Sequence, residues 1–158
     1  MKEKSMAQRL NYFQIVPEAI EILMNQEAYL TKQFEQSTII SKQLWHLIKL
    51  RVSQLNQCAY CIEMHRLELT KLKETPQRLM GLNAWRDMPF FTSTERAALS
   101  WAESITLNHV VRESDYQAVL QTLGEKNLVD LTIAVNAING WNRVAKAFKP
   151  EVGNYQFN

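Results

Sequence analysis

Glycine and proline are scarce, with 4 of each in 158 residues. A sandwich or barrel of this size is built on many tight turns and needs more of both, so an all-β fold is disfavoured. Long apolar runs are missing as well. None approaches the roughly 18 residues of a membrane span, so no membrane partner is expected. The amino terminus reads MKEKSMAQRLNY, with Glu3 and no apolar core segment. No secretory signal is expected from it, and the expected location is cytoplasmic. An excess of one charge is also lacking: 18 Lys and Arg stand against 16 Asp and Glu, a net charge of +2. The signs alternate along the chain rather than gathering into a basic face, which gives no reason to expect a nucleic-acid partner. Cysteine is nearly absent. A disulfide-framed secreted scaffold needs more than the two present, Cys58 and Cys61.

What remains is a globular composition, 46% apolar and 22% charged. Length and composition fit one domain over residues 1–158, with 1–8 and 151–158 as loose termini. The periodicity is helical nearly throughout. A first helix starts near Pro17 and ends near Phe34, with Ile20, Leu23 and Met24 on its apolar face. A second starts after Ser37 or Thr38, where Ile40, Leu44, Leu47, Ile48 and Val52 recur at three- and four-residue steps. Asn56-Gln57 interrupts it, and a third runs from about Cys58 through Leu72. Thr75-Pro76 begins a shorter one towards Trp85. Thr92 to Glu95 and Ser114 to Gln117 both have capping-box spacing. Gly124 fits a helix end, Asn127 opens the last long helix, and Gly140 inside it suggests close helix packing. The fold class expected is all-α.

Two cysteines placed at random in such a chain fall three apart roughly once in eighty arrangements, so the spacing of Cys58 and Cys61 carries meaning. On a helix, three residues turn about 300° and seven about 340° net, so Cys58, Cys61 and His65 share one face within about 60°. The imidazole then lies one turn beyond the Cys61 sulfur. A thiolate is the reactive form, and both a helix amino terminus and a neighbouring imidazole favour it. A second thiol one turn away traps a sulfenic acid as a disulfide before it oxidises further. A zinc site is the competing use of the same residues. Structural zinc wants a fourth ligand, which only His46 or His109 could supply. Glu63 lies on the opposite side of the helix and reads as a solvated charge.

The run Leu50-Arg51-Val52-Ser53-Gln54-Leu55-Asn56-Gln57-Cys58-Ala59-Tyr60-Cys61-Ile62-Glu63-Met64-His65 resembles the core motif of the AhpD-like alkyl hydroperoxidases, within the carboxymuconolactone decarboxylase family. Supporting segments are Arg9 to Pro17, Trp85-Arg86, Phe91 to Leu99, and Ile138-Asn139-Gly140-Trp141-Asn142-Arg143. The resemblance implies an AhpD-like antiparallel helical fold that assembles into homo-oligomers, trimers or hexamers. It also implies a peroxidase cycle. Cys61 attacks the terminal peroxide oxygen, Cys58 resolves the sulfenic acid, His65 assists proton transfer, and no cofactor is bound. An external dithiol, on a lipoyl-type or thioredoxin-like reductant protein, restores the thiols.

One position departs from the family pattern. The motif glutamate twelve residues before the first cysteine is here His46. An imidazole titrates nearer neutrality than a carboxylate, so His46 is expected to replace it as proton relay. Folding back of the two helices puts position 46 about three turns from the cysteines, so contact requires skewed helices or a neighbouring subunit. Two other functions compete: a gamma-carboxymuconolactone decarboxylase-like enzyme, and a non-catalytic oligomeric protein whose dithiol senses redox state. Trp141, Asn142 and Arg143 read as packing or interface residues, and His109 as a helix-end cation.

Overall fold

The structure, a computed structural model, describes residues 9–155. The expected loose ends at 1–8 and 156–158 lie outside the described residues. Among the described residues every element is helical and none is a strand: α1 (Tyr12–Ile15), α2 (Pro17–Gln36), α3 (Lys42–Leu55), α4 (Ala59–Lys71), α5 (Pro76–Gly81), a 3₁₀ turn (Leu82–Ala84), α6 (Ser93–Thr106), α7 (Glu113–Leu123) and α8 (Glu125–Phe148).

The starts follow local chemistry. Pro17 and Pro76 open α2 and α5, where a missing N–H costs nothing. The Thr92 and Glu95 capping box forms in full at α6. The second expected box does not. Helix α7 begins at Glu113 with Arg112 as its cap and no side-chain cap bond, and Asp115 accepts from Arg112 Nε at 2.9 Å instead. Gln117, expected to complete the box with Ser114, donates to Glu113 Oε1 at 2.7 Å. The start of α3 also lies later than Thr38. Ser37 Oγ accepts from the amides of Ile39 and Ile40, turning the chain, and Ser41 caps Leu44 N at 3.1 Å. Helix α8 opens at Glu125, two residues before Asn127, because Gly124 at φ +76° ends α7 and caps α8 at once. Gly140 does not mark close packing: a Cβ built there meets nothing within 4 Å.

Helix α3 is the centre of the bundle. It pairs with α4 as an antiparallel hairpin and packs on α6 and α8. Leu47, Ile48 and Val52 are fully buried in one core with Ala98, Leu99 and Ala102 of α6 and Leu131, Ala134 and Val135 of α8. Each large aliphatic side chain buried this way stabilises the fold by about 1.5–3 kcal/mol. Arg51, inside the cysteine motif, is a structural anchor. Its Nε donates to Glu103 Oε1 at 2.7 Å, and Trp85 Nε1 and Arg86 share the same carboxylate. No helix among the described residues is long and apolar enough to cross a membrane.

Candidate active site

The α3–α4 turn presents the cysteines. Gln57 adopts φ +55°, a left-handed conformation that costs an L residue about 1–2 kcal/mol. The turn is held from both sides. Cys58 N donates to Ser53 O at 3.0 Å, and Asn56 Nδ2 donates to the side-chain oxygens of Asn139 and Asn142, both at 2.9 Å. Asn142, fully buried, donates in turn to Ser53 Oγ at 3.0 Å, and Lys146 Nζ reaches Asn56 O at 2.7 Å. The polar residues of the 138–143 segment therefore clamp the turn, while Trp141 stacks on Phe13 at 6.4 Å. The sequence reading of this segment as packing missed the clamp, for which the spacing of Asn139 and Asn142 on one face of α8 was the available sign.

Cys58 is the N-cap of α4 and Cys61 lies in its first turn. The first ladder bond runs from Ile62 N to Cys58 O, so the amides ahead of it point out of the helix end towards the sulfurs' turn. Cys58 and Cys61 are joined as a disulfide with Cα atoms 5.3 Å apart, and both are buried. The bonded pair stands between two cavities. One, of about 450 Å³, reaches Cys58 and is bordered by Lys146, Lys149 and Pro150. The other, of about 430 Å³, reaches Cys61, His65 and His46. Tyr60 and Ala145 border both and form the partition.

The second cavity holds the titratable chemistry. His65 is 3% exposed, and neither ring nitrogen has a hydrogen-bond partner; His46 Nδ1 is likewise buried and unpartnered. The two ring centroids are 6.0 Å apart. Burial, then the positive charge of Lys49, then His46 push the His65 pKa well below the usual imidazole value. Burial, helped by Lys49 and Lys42, pushes His46 down to about 3. Both rings are therefore neutral at pH 7. Lys49 is itself buried, lies 4.6 Å from the Trp45 ring and donates to Glu27 Oε2 at 2.7 Å. Much of the remaining wall is apolar or aromatic, including Phe13, Met24, Met64 and Trp141. Residues 151–155 carry no helix, yet Tyr155 lies back on α4 and donates to Glu68 Oε1 at 2.9 Å.

The structure thus brings Cys58, Cys61, His65 and His46 into one neighbourhood without a second subunit. His46 is opposite His65 rather than the sulfurs, because an antiparallel hairpin pairs positions equidistant from its turn. His46 lies ten residues before Asn56 and His65 nine after it. The near-neutral titration expected of His46 does not survive its burial beside Lys49. Glu63 pairs with Arg66 at 2.8 Å on the surface side of α4, and His109 lies past the end of α6, away from the site's cavity. Among the described residues no group of three His, Cys, Asp or Glu is arranged to hold a metal ion. Lys49 and Glu27 were missed from sequence. Lys49 follows His46 by three residues on one helix, a readable sign, whereas Glu27 comes from α2 and has no local one.

The profile of the carboxymuconolactone decarboxylase family matches residues 18–104. YdfG, an uncharacterized protein of Bacillus subtilis strain 168, is 42% identical over 144 residues, which are 90% of this chain and 95% of YdfG. A solved structure from Agrobacterium tumefaciens, of a protein of unknown function described as a candidate AhpD antioxidant defence protein, has a TM-score of 0.85 and 30% identity. It covers 94% of this chain and 100% of its own. An uncharacterized peroxidase-related protein from Silicibacter sp. TM1040, at 24% identity and a TM-score of 0.74, shares the fold over 87% of this chain and 72% of its own. The chain belongs to the carboxymuconolactone decarboxylase family, with an AhpD-like fold.

Proposed function

We propose that this protein is a thiol-dependent peroxidase that reduces organic hydroperoxides. The observation that carries the reading is the Cys58–Cys61 pair at the start of α4, with Cys61 and His65 opening on a largely apolar cavity. The names of the A. tumefaciens and Silicibacter relatives point the same way. The Cys61 thiolate attacks the terminal oxygen of ROOH, the O–O bond breaks, and RO⁻ leaves as ROH after taking a proton. Cys61 is then a sulfenic acid. The Cys58 thiol attacks its sulfur, water leaves, and the disulfide forms. A dithiol-bearing reductant protein, lipoyl-type or thioredoxin-like, restores both thiols by two exchange steps. The cavity beside Cys58 gives that partner an approach separate from the peroxide's. No bound cofactor is part of this cycle.

Consumption of cumene hydroperoxide with dihydrolipoamide as reductant tests the reading. Many turnovers per subunit are expected. A rate equal to that of dihydrolipoamide alone contradicts the reading, and release of carbon dioxide from a carboxymuconolactone replaces it with the decarboxylase.

The working form is proposed to be a homo-oligomer, a trimer or hexamer. Phe13, Ile15, Val16, Ile22 and Met24 are all at least 45% exposed along α1 and α2, more apolar surface than one chain covers. Light scattering is expected to give a multiple of the 18.4 kDa chain mass. A monomer mass at micromolar concentration contradicts it.

A further inference from the structure

We propose that Glu27 is the proton-holding carboxylate of the thiol site: its free Oε1 takes up the proton that leaves Cys61 by way of His65 and His46. The proposal rests on the peroxidase reading for its purpose and on the cavity's geometry for its argument.

Four unpartnered polar atoms gather here. Glu27 Oε1, His46 Nδ1 and both nitrogens of His65 are buried without a hydrogen-bond partner, and all three residues border the cavity that reaches Cys61. Buried polar atoms left unpaired in a folded protein call for an explanation, and a chain that passes protons supplies one. The imidazole centroids are 6.0 Å apart, a span that one water can bridge. Each neutral ring both accepts and donates, so it transmits a proton without holding it.

Charge decides where the proton rests. A proton held on His65 or His46 makes an imidazolium in a buried cavity beside the Lys49 ammonium, and burial and Lys49 are what hold both rings neutral. A proton held on Glu27 creates no new cation. Before transfer, the Glu27 carboxylate balances Lys49, 2.7 Å away. After transfer, the proton is on Glu27 and the negative charge is on Cys61, which borders the same cavity as Lys49. The cavity then holds one cation and one anion, as it did before, with no imidazolium added. When the thiolate attacks ROOH and the O–O bond breaks, the proton returns from Glu27 through the rings to RO⁻, which leaves as ROH. Atoms and charge balance with no other reactant.

The other charged or titratable groups facing the cavity are occupied or neutral. Glu68 of α4 accepts from Tyr155, whose hydroxyl is pushed up to about 12 by burial and by that bond. Burial raises the hydroxyl pKa values of Tyr12 of α1 and Tyr60 of α4, so both are neutral. Lys42, one turn before His46 on α3 and outside the cavity wall, pairs with Glu35 at 3.1 Å. The cavity residues from α8 are Ile138, Trp141 and Ala145, which do not titrate.

The test is the alkylation rate of reduced Cys61 by iodoacetamide from pH 5 to 9, in a Cys58→Ser background, which needs no peroxide. Glu27→Gln is expected to slow alkylation at pH 7 by roughly ten- to hundredfold and to move the pH profile upward. Adding His46→Glu, which returns a carboxylate to the same cavity, is expected to recover most of the rate. If Glu27 only neutralises Lys49, Glu27→Gln leaves the ammonium uncompensated, and alkylation at pH 7 equals or exceeds wild type. That result overturns the proposal. Should Glu27→Gln fail to fold, Glu27→Asp keeps the charge beside Lys49 but draws the oxygen back: slower alkylation supports the proposal, and the wild-type rate overturns it. A protein that is inert to peroxide yet alkylates with this Glu27 dependence contradicts the peroxidase reading alone. Active peroxide reduction with no Glu27 dependence of alkylation contradicts this inference alone.

Discussion

Cys61→Ser is expected to lower peroxide consumption to the uncatalysed rate, a loss of about a thousandfold or more. Cys58→Ser is expected to behave differently: one equivalent of peroxide is consumed, and a sulfenic acid stays on Cys61, where dimedone labels it. The asymmetry comes from the partition between the cavities. Cys61 borders the one that contains His65, His46 and Glu27, whereas Cys58 borders the one edged by Lys146 and Lys149. An opposing influence exists. Cys58 is the N-cap of α4, nearer the positive end of the helix dipole, which favours its thiolate. That influence falls off within a turn and reaches Cys61 as well, and Cys58 has no histidine in its cavity. Dimedone label on Cys58 in the Cys61→Ser variant, with none on Cys61 in Cys58→Ser, reverses the assignment.

The second large effect is on stability in mild acid. His65 and His46 stay neutral in the fold, with pKa values held below the ordinary 6.5 by burial first and Lys49 second. In the unfolded chain both take a proton below about pH 6.5, so the unfolded state binds more protons there and stability falls as pH falls. Each ring contributes up to about 1.4 kcal/mol per pH unit below its unfolded pKa, so the pair removes about 4 kcal/mol between pH 7 and 5. The loss continues towards pH 3, where His46 titrates in the fold. The carboxylates act in a lower window. Glu103 is held below the ordinary carboxylate range: burial opposes its ionisation, but the bonds from Trp85, Arg86 and Arg51 outweigh it. Its stabilisation is present above about pH 4.5 and is lost only as pH falls through the folded value. Urea unfolding of the reduced protein at pH 7 and pH 5 separates the two. Wild type is expected to lose about 4 kcal/mol between them, and the His46→Gln, His65→Gln double variant under about 1 kcal/mol. Equal losses in both proteins contradict the neutral, buried pair.

How much of this was legible in the sequence depended on distance along the chain. Cys58, Cys61 and His65 lie within two turns of one helix, so the 3.6-residue repeat alone places them on one face. The all-α fold followed from scarce glycine and proline together with apolar residues at three- and four-residue steps. The position of His46 required knowing what the hairpin sets opposite it, and the periodicity of α3 gives the face but not the partner. Its charge state was further from reach. A lone imidazole reads as titrating near neutrality, and only the tertiary fold supplies the burial and the Lys49 ammonium that prevent it. Glu27 is 22 residues from Lys49 on another helix, and nothing around it in the sequence separates it from the exposed Glu18 and Glu21 of α2. The second capping box failed for a local reason: α7 already starts at Glu113, and Gln117 donates to Glu113 Oε1 at 2.7 Å instead. Gly140 carried the ordinary mark of helix packing but is exposed.

The central claim is that Cys58 and Cys61 are a peroxide-driven thiol pair. The direct measurement is peptide mass spectrometry of the reduced protein after one equivalent of cumene hydroperoxide, with remaining thiols alkylated. The account predicts a single peptide with Cys58 and Cys61 lighter by two hydrogens and unalkylated, formed in step with the peroxide consumed. Both cysteines fully alkylated with the peroxide still present, or oxidation on methionine alone, contradicts it.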